Sequence, residues 1–204
     1  MTKEKTEFVV LSVAESEELL AEELQTNFGR AAVRRISDQG YLVSCERKVL
    51  PARMLIAFAD QTLPNVEPVK ADSISAWAEL LFKWLVRHLE NENCRWRLDI
   101  LSVGEKVGPR RIKLIEQALD AHLQRHRRSL KKRRLSALDP LNRGDFLIQL
   151  CCTSLTEGYL SNYPWAEGEG QWGGVVWPSL GGILEVADDK QPPSRAFKKL
   201  EECL

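Results

Sequence analysis

No CxxC pair occurs among the five cysteines, Cys45, Cys94, Cys151, Cys152 and Cys203. An odd set without metal-ligand spacing argues against a zinc site or a disulfide framework, and free thiols suit a reducing cytoplasm. Long apolar runs are also missing, because charges interrupt every hydrophobic stretch well before the length of a membrane span. The opening, MTKEKTEFVVLSVAESEELL, has no basic stretch leading into a long apolar run, so it is not expected to be a secretory signal. The chain contains no GxSxG, HExxH or Walker pattern. His122 and His126 are four apart, as two ligands on one helix face would be, but without an HExxH pattern they read as surface or interhelical histidines. The glycine-rich EGEGQWGG at 167–174 does not sit between a strand and a helix, as a dinucleotide loop would. No complete active site is therefore legible.

Net charge is zero, with 29 basic and 29 acidic residues among 204, but the distribution is uneven. Residues 1–30 are acidic, through Glu4, Glu7, Glu15, Glu17, Glu18, Glu22 and Glu23. Between Asp120 and Asp139 there is no acid at all, while Arg125, Arg127, Arg128, Lys131, Lys132, Arg133 and Arg134 crowd together. On one continuous helix, Arg125, Arg128 and Lys132 would form one stripe and Arg127, Lys131 and Arg134 its neighbour, both away from the leucine side. Charges this dense repel one another, and a polyanion lying along them removes that cost and releases counterions. A solvated helix face accounts for the same residues, and nuclear targeting is a third reading. Tyr159, Tyr163, Trp165, Trp172 and Trp177 follow, either as rings on which bases stack or as anchors for a long linker.

Hydrophobic periodicity predicts an α+β protein. FVVLSV (8–13) reads as a buried strand. Ser12 and Glu15 have capping-box spacing, so a helix should start near residue 14, with Leu19, Leu20, Leu24 and Phe28 inward and Gly29 at its end. Strands follow at 31–36 and 41–45, and 53–60 should begin as a helical turn and become a strand. That β-α-β-β order with a further strand suggests a small ferredoxin-like unit. LPNVEPVKAD (63–72), with its two prolines, is the candidate boundary. Beyond it, Ile74, Trp77, Leu81, Leu85 and Leu89 mark a central core helix. Trp96, Leu98 and Ile100 mark one face of a strand. Ile112, Ile115, Leu119, Leu123 and Leu130 mark a second long helix, followed by strands at 145–153 and 156–164. Residues 165–191 read as an ordered loop or linker.

The ending PPSRAFKKLEECL carries a resemblance. Its Pro-Ser-Arg-x-x-x-Lys-Leu-Glu-Glu pattern resembles the segment that opens the catalytic domain of FtsJ-like ribose 2′-O-methyltransferases. LPARMLIAFADQ, the helix-rich middle, FLIQLCCTSLTEGYLSNYP and ADDKQPPSRAFKKLEE follow the order seen in RlmM-type large-subunit ribosomal RNA methyltransferases. The resemblance implies a ferredoxin-like unit over residues 1–65, a THUMP-like RNA-binding domain over 66–186, and over 187–204 a linker and the first helix of a methyltransferase domain not in this chain. It implies S-adenosylmethionine as cofactor of the whole enzyme, with none held by this chain, which alone is expected to be inactive. By the same token Lys199 is the expected catalytic lysine, usable only with that domain. Ser194 and Arg195 are expected near the RNA backbone. The implied partner is large-subunit ribosomal RNA, in the cytoplasm and away from membranes, gripped by Arg125, Arg127, Arg128, Lys131, Lys132, Arg134 and Arg195. The terminal stripe of Phe197, Leu200 and Leu204 expects a surface to cover it. Two other readings stand beside this one. The chain could be a stand-alone interaction or RNA-binding adaptor working in trans with a catalytic subunit, or a small enzyme using Cys151 or Cys152.

Overall fold

The computed structural model describes residues 6–12, 15–45, 56, 59–103, 107–137 and 139–165. The fold is α+β, with two four-stranded sheets. The first is built from β1 (Thr6–Ser12), β2 (Val33–Arg35), β3 (Gly40–Cys45) and β4 (Ala59–Leu63), in the order β2-β3-β1-β4. Every pairing in it is antiparallel. Helix α1 (Glu17–Phe28) leads from β1 to β2 over the strand between them, which gives the sheet its ferredoxin-like order. Alternation along β1 buries both its faces. Phe8 and Val10 turn toward Leu20 and Leu24 of α1, whereas Val9 and Leu11 turn to the opposite side.

The second sheet contains β5 (Glu67–Lys70), β6 (Trp96–Ser102), β7 (Phe146–Cys152) and β8 (Glu157–Pro164), in the order β5-β8-β7-β6. Strands β6 and β7 run parallel, as the intervening helix α3 (Pro109–His126) requires, and the other pairs are antiparallel. Helix α2 (Ile74–Leu89) packs with α3 over one face, where Trp77, Leu81, Leu85, Trp96, Leu119 and Leu123 form the main core. Its N-terminus is capped by Ser73, whose hydroxyl accepts from the Ala76 N–H at 3.1 Å. Strands β7 and β8 approach so closely at Gly158 that a Cβ there would lie 2.6 Å from the Cys151 carbonyl oxygen.

The two sheets meet through their remaining faces. Val9, Leu11, Leu42 and Leu63 pack with Val66, Leu101, Val103 and Cys151. Hydrogen bonds cross with them: Val66 N–H donates to the Glu7 carbonyl, and Arg34 donates to the Tyr159 hydroxyl at 3.0 Å.

Several expectations are corrected. Ser12 belongs to β1, and α1 starts after Ser16, whose side chain makes no capping bond. Leu19 is 47% exposed, because Leu20, Leu24 and Phe28 form the face of α1 that packs on the sheet and Leu19 lies off it. The strand expected at 53–60 lies at Ala59–Leu63, and residues 51–55 lie outside those described. Part of the expected linker is strand β5, which tolerates Pro68 because it pairs on one side only. Strand β6 is buried on both faces, not one.

Candidate nucleic-acid interface

The basic cluster does not lie on one helix. Helix α3 begins at Pro109, a position whose fixed φ and missing N–H suit a first turn. Ile115, Leu119 and Leu123, four apart, bury its inner face. It stops at Arg127, whose φ of −147° and ψ of 66° leave the helical region. A short helix α4 (Arg128–Lys132) then redirects the chain so that Leu130 is buried. Trp96 locks that turn, its indole N–H donating to the Leu130 carbonyl at 3.0 Å. The two expected stripes therefore bend around a corner at Arg127.

That corner sorts the cations into two groups. Some are held by the protein. Arg134 reaches Asp120 at 2.6 Å and Glu116 at 3.0 Å, with its guanidinium 5.7 Å from the centre of the Trp96 ring. Arg127 pairs with Glu90 at 2.7 Å. Arg133 donates to the carbonyls of Leu89 at 2.9 Å and Cys94 at 3.1 Å, and also to that of Glu92. These carbonyls lie at and just beyond the C-terminus of α2, where a cation also meets the negative end of the helix dipole. The other group points outward. Arg125 and Lys132 are exposed, and no ion pair to either is made among the described residues. Arg128 is exposed and bonds the Gln124 carbonyl at 3.2 Å, which leaves its charge unneutralised. Lys131 is half-buried. Arg195 and Lys199 lie outside the described residues.

The expected rings divide in the same way. Tyr159 packs in the seam between the sheets, Tyr163 is buried, and Trp165 meets it edge-on at 6.4 Å. These three anchor the end of the fold, while Trp172 and Trp177 lie outside the described residues. His122 and His126 are interhelical, 5.7 and 6.0 Å from the Phe82 ring of α2. Among the described residues no group of three or more metal-ligating side chains occurs, and no helix is long and apolar enough to cross a membrane. The cysteine-enzyme reading loses its nucleophile. Burial pushes the Cys152 thiol up to about 11 and raises Cys151 as well, so neither offers a thiolate.

Two features were not anticipated. Arg97 and Asp99 are both almost fully buried in β6, with Arg97 Nε 3.3 Å from Asp99 Oδ1 and its NH2 3.3 Å from Oδ2. Burial outweighs their mutual attraction, lowering Arg97 and pushing the Asp99 carboxyl up to about 6. The second feature is a groove of about 580 Å³ between α3 and the outer edge of β6. Glu116 and Asp120 of α3 line it, with Lys131 and Arg134 from the basic corner.

No protein-family model matches the chain, and no curated protein matches it. Solved structures resemble it distantly. A predicted N6-adenine-specific DNA methylase from Listeria monocytogenes aligns at a TM-score of 0.46 with 11% identity, covering 80% of this chain and 41% of that one. A possible methylase from Clostridium difficile aligns at 0.47 with 14% identity, covering 78% and 41%. A 4-thiouridine synthetase in complex with RNA and bound ATP aligns at 0.43 with 13% identity, covering 82% and 45%. The chain thus spans less than half the length of these proteins, and likenesses this distant carry no argument about what it does.

Proposed function

We propose that this chain binds RNA and positions it for a methyltransferase domain. Residues 1–65 form the ferredoxin-like unit and 66–186 a THUMP-like RNA-binding domain, and 187–204 lead toward the catalytic domain of a larger protein. The target is large-subunit ribosomal RNA, modified in the cytoplasm at a ribose 2′-hydroxyl. The observation that carries this reading is the outward group of cations, Arg125, Arg128 and Lys132, unneutralised at the α3–α4 corner. Arg127 and Arg134, committed to carboxylates, shape that corner and contribute less charge to a phosphate.

Fixed cations beside a polyanion gain by releasing its condensed counterions, and they position the backbone without reading its bases. Lys199 would orient the ribose hydroxyl once the further domain is present, and Arg195 would touch the backbone beside it. S-adenosylmethionine would supply the methyl group there.

The test is a fluorescence-anisotropy titration with ribosomal RNA fragments. Micromolar or weaker binding is expected, with affinity falling by about 0.7 log units per log unit of salt for each phosphate contact to a single strand. The double variant Arg128→Glu with Lys132→Glu should weaken binding to every sequence by similar factors. Unchanged affinity in a folded double variant would reject the assignment.

A further inference from the structure

The groove beside α3 has the makings of a base-reading site, an inference that rests on the RNA-binding reading above. Its size falls within the range of small-ligand pockets and would admit one nucleotide. Its strand wall is an open sheet edge. Trp96 turns its N–H and C=O outward, to the Arg133 carbonyl and the Leu135 N–H. By alternation, Leu98 and Ile100 turn their main-chain groups the same way. No backbone hydrogen bond among the described residues reaches those outward groups. Leu98, Ile100 and Leu135 make this side of the groove apolar as well.

The opposite wall is a pair of carboxylates held in place. Arg134 takes Asp120 through Oδ1 and Glu116 through Oε1. The side chains stay 42% and 37% exposed. An ionised carboxylate has about four acceptor sites on its two oxygens. Each of these two is therefore oriented by one guanidinium contact and still able to accept more. Lys131 joins the wall and is next in sequence to Lys132, so the groove opens beside the outward cations.

We infer that this groove receives a single unstacked guanine of the bound RNA. A carboxylate accepts two parallel donors, and only guanine among the four standard bases offers adjacent donors, N1–H and the 2-amino group, on its Watson–Crick edge. Adenine, cytosine and uracil each place an acceptor beside the donor, which meets a carboxylate oxygen with repulsion. Sequence-specific RNA recognition works by this kind of capture of a splayed-out base on its hydrogen-bonding edge. The phosphates on either side of the base then fall to Lys131 and Lys132.

The test uses the full chain and four nucleoside monophosphates, with inosine monophosphate as a fifth probe because it lacks only the 2-amino group of guanosine. Guanosine monophosphate should bind at least about tenfold tighter than the other three standard nucleotides and than the inosine form, as loss of one partner from a bidentate pair requires. Its proton resonances should perturb amides at 98–100 and 116–120. Glu116→Gln should abolish the preference. The inosine comparison needs no variant, so loss of folding in Glu116→Gln leaves the test intact. Equal binding of all five nucleotides, or none, overturns the guanine site; RNA binding that persists in that case leaves the cationic corner standing. Guanosine selectivity without any RNA binding overturns the RNA reading and keeps the groove as a nucleotide site.

Discussion

Arg97 and Asp99 place two charges inside a strand where apolar side chains would pack more cheaply, since a buried ion pair often returns less than its desolvation costs. Asp99 has the larger consequence for pH. Its folded carboxyl is pushed up to about 6 by burial. Between the ordinary carboxylate range and that value, the folded chain holds a proton that the unfolded chain has released. Stability contributed by this group therefore falls as pH rises through that window and is constant above it. Urea midpoints should show it: going from pH 7 to pH 5, wild type should gain stability relative to Asp99→Asn, and a constant difference between the two would refute the assignment. The strand itself was legible from the alternation of Trp96, Leu98 and Ile100. The burial of its charged residues was not, because an alternating pattern reads as a strand with one wet face, and only the first sheet, packed against that face, removes the water. Arg134 is a similar case. As a member of a basic run it reads as surface charge, but Glu116 and Asp120, fourteen or more positions earlier, claim it.

At the scale of elements, the break at Arg127 decides the most. The leucine period from Leu119 through Leu123 to Leu130 is compatible with one helix, and the sequence gives no proline or glycine there to stop it. What interrupts it is tertiary: the Trp96 indole bonds the Leu130 carbonyl, and Arg127 is drawn to Glu90. Strand β5 was hidden for a different reason. Pro68 and the charges around it are features of an edge strand and also of a linker, so local composition does not separate the two. The β7–β8 pairing was legible, since β7 is mostly apolar, β8 carries Tyr159, Leu160 and Tyr163, and a short turn separates them. Its weak point is Gly158, where an added methyl would meet backbone and not a side chain that could move aside. Gly158→Ala should cost about 1–3 kcal/mol in chemical denaturation, the usual range for overpacking. A neutral result would mean that the two strands separate more easily than their register suggests.

For the whole molecule, the two sheets pack face to face through a cluster of apolar side chains, and the unpaired cations lie at the α3–α4 corner of the second unit. Among the described residues no ion pair joins the acidic first helix to the basic cluster; the carboxylates that hold Arg127 and Arg134 come from α3 itself and from Glu90, just past α2. The α+β class and the ferredoxin-like order could be read from hydrophobic period and turn residues, which are local signals. The division of the basic cluster into structural and outward-facing members could not, because it depends on which carboxylates and helix-end carbonyls the fold brings near. The most direct measurement of the central claim is an NMR titration of the isotope-labelled chain with single-stranded ribosomal RNA, following every backbone amide. The account predicts that the largest perturbations lie at 124–134, around Arg125, Arg128 and Lys132, and shrink as salt is raised. Perturbations confined to the first sheet or to the seam, with 124–134 unmoved, would contradict it.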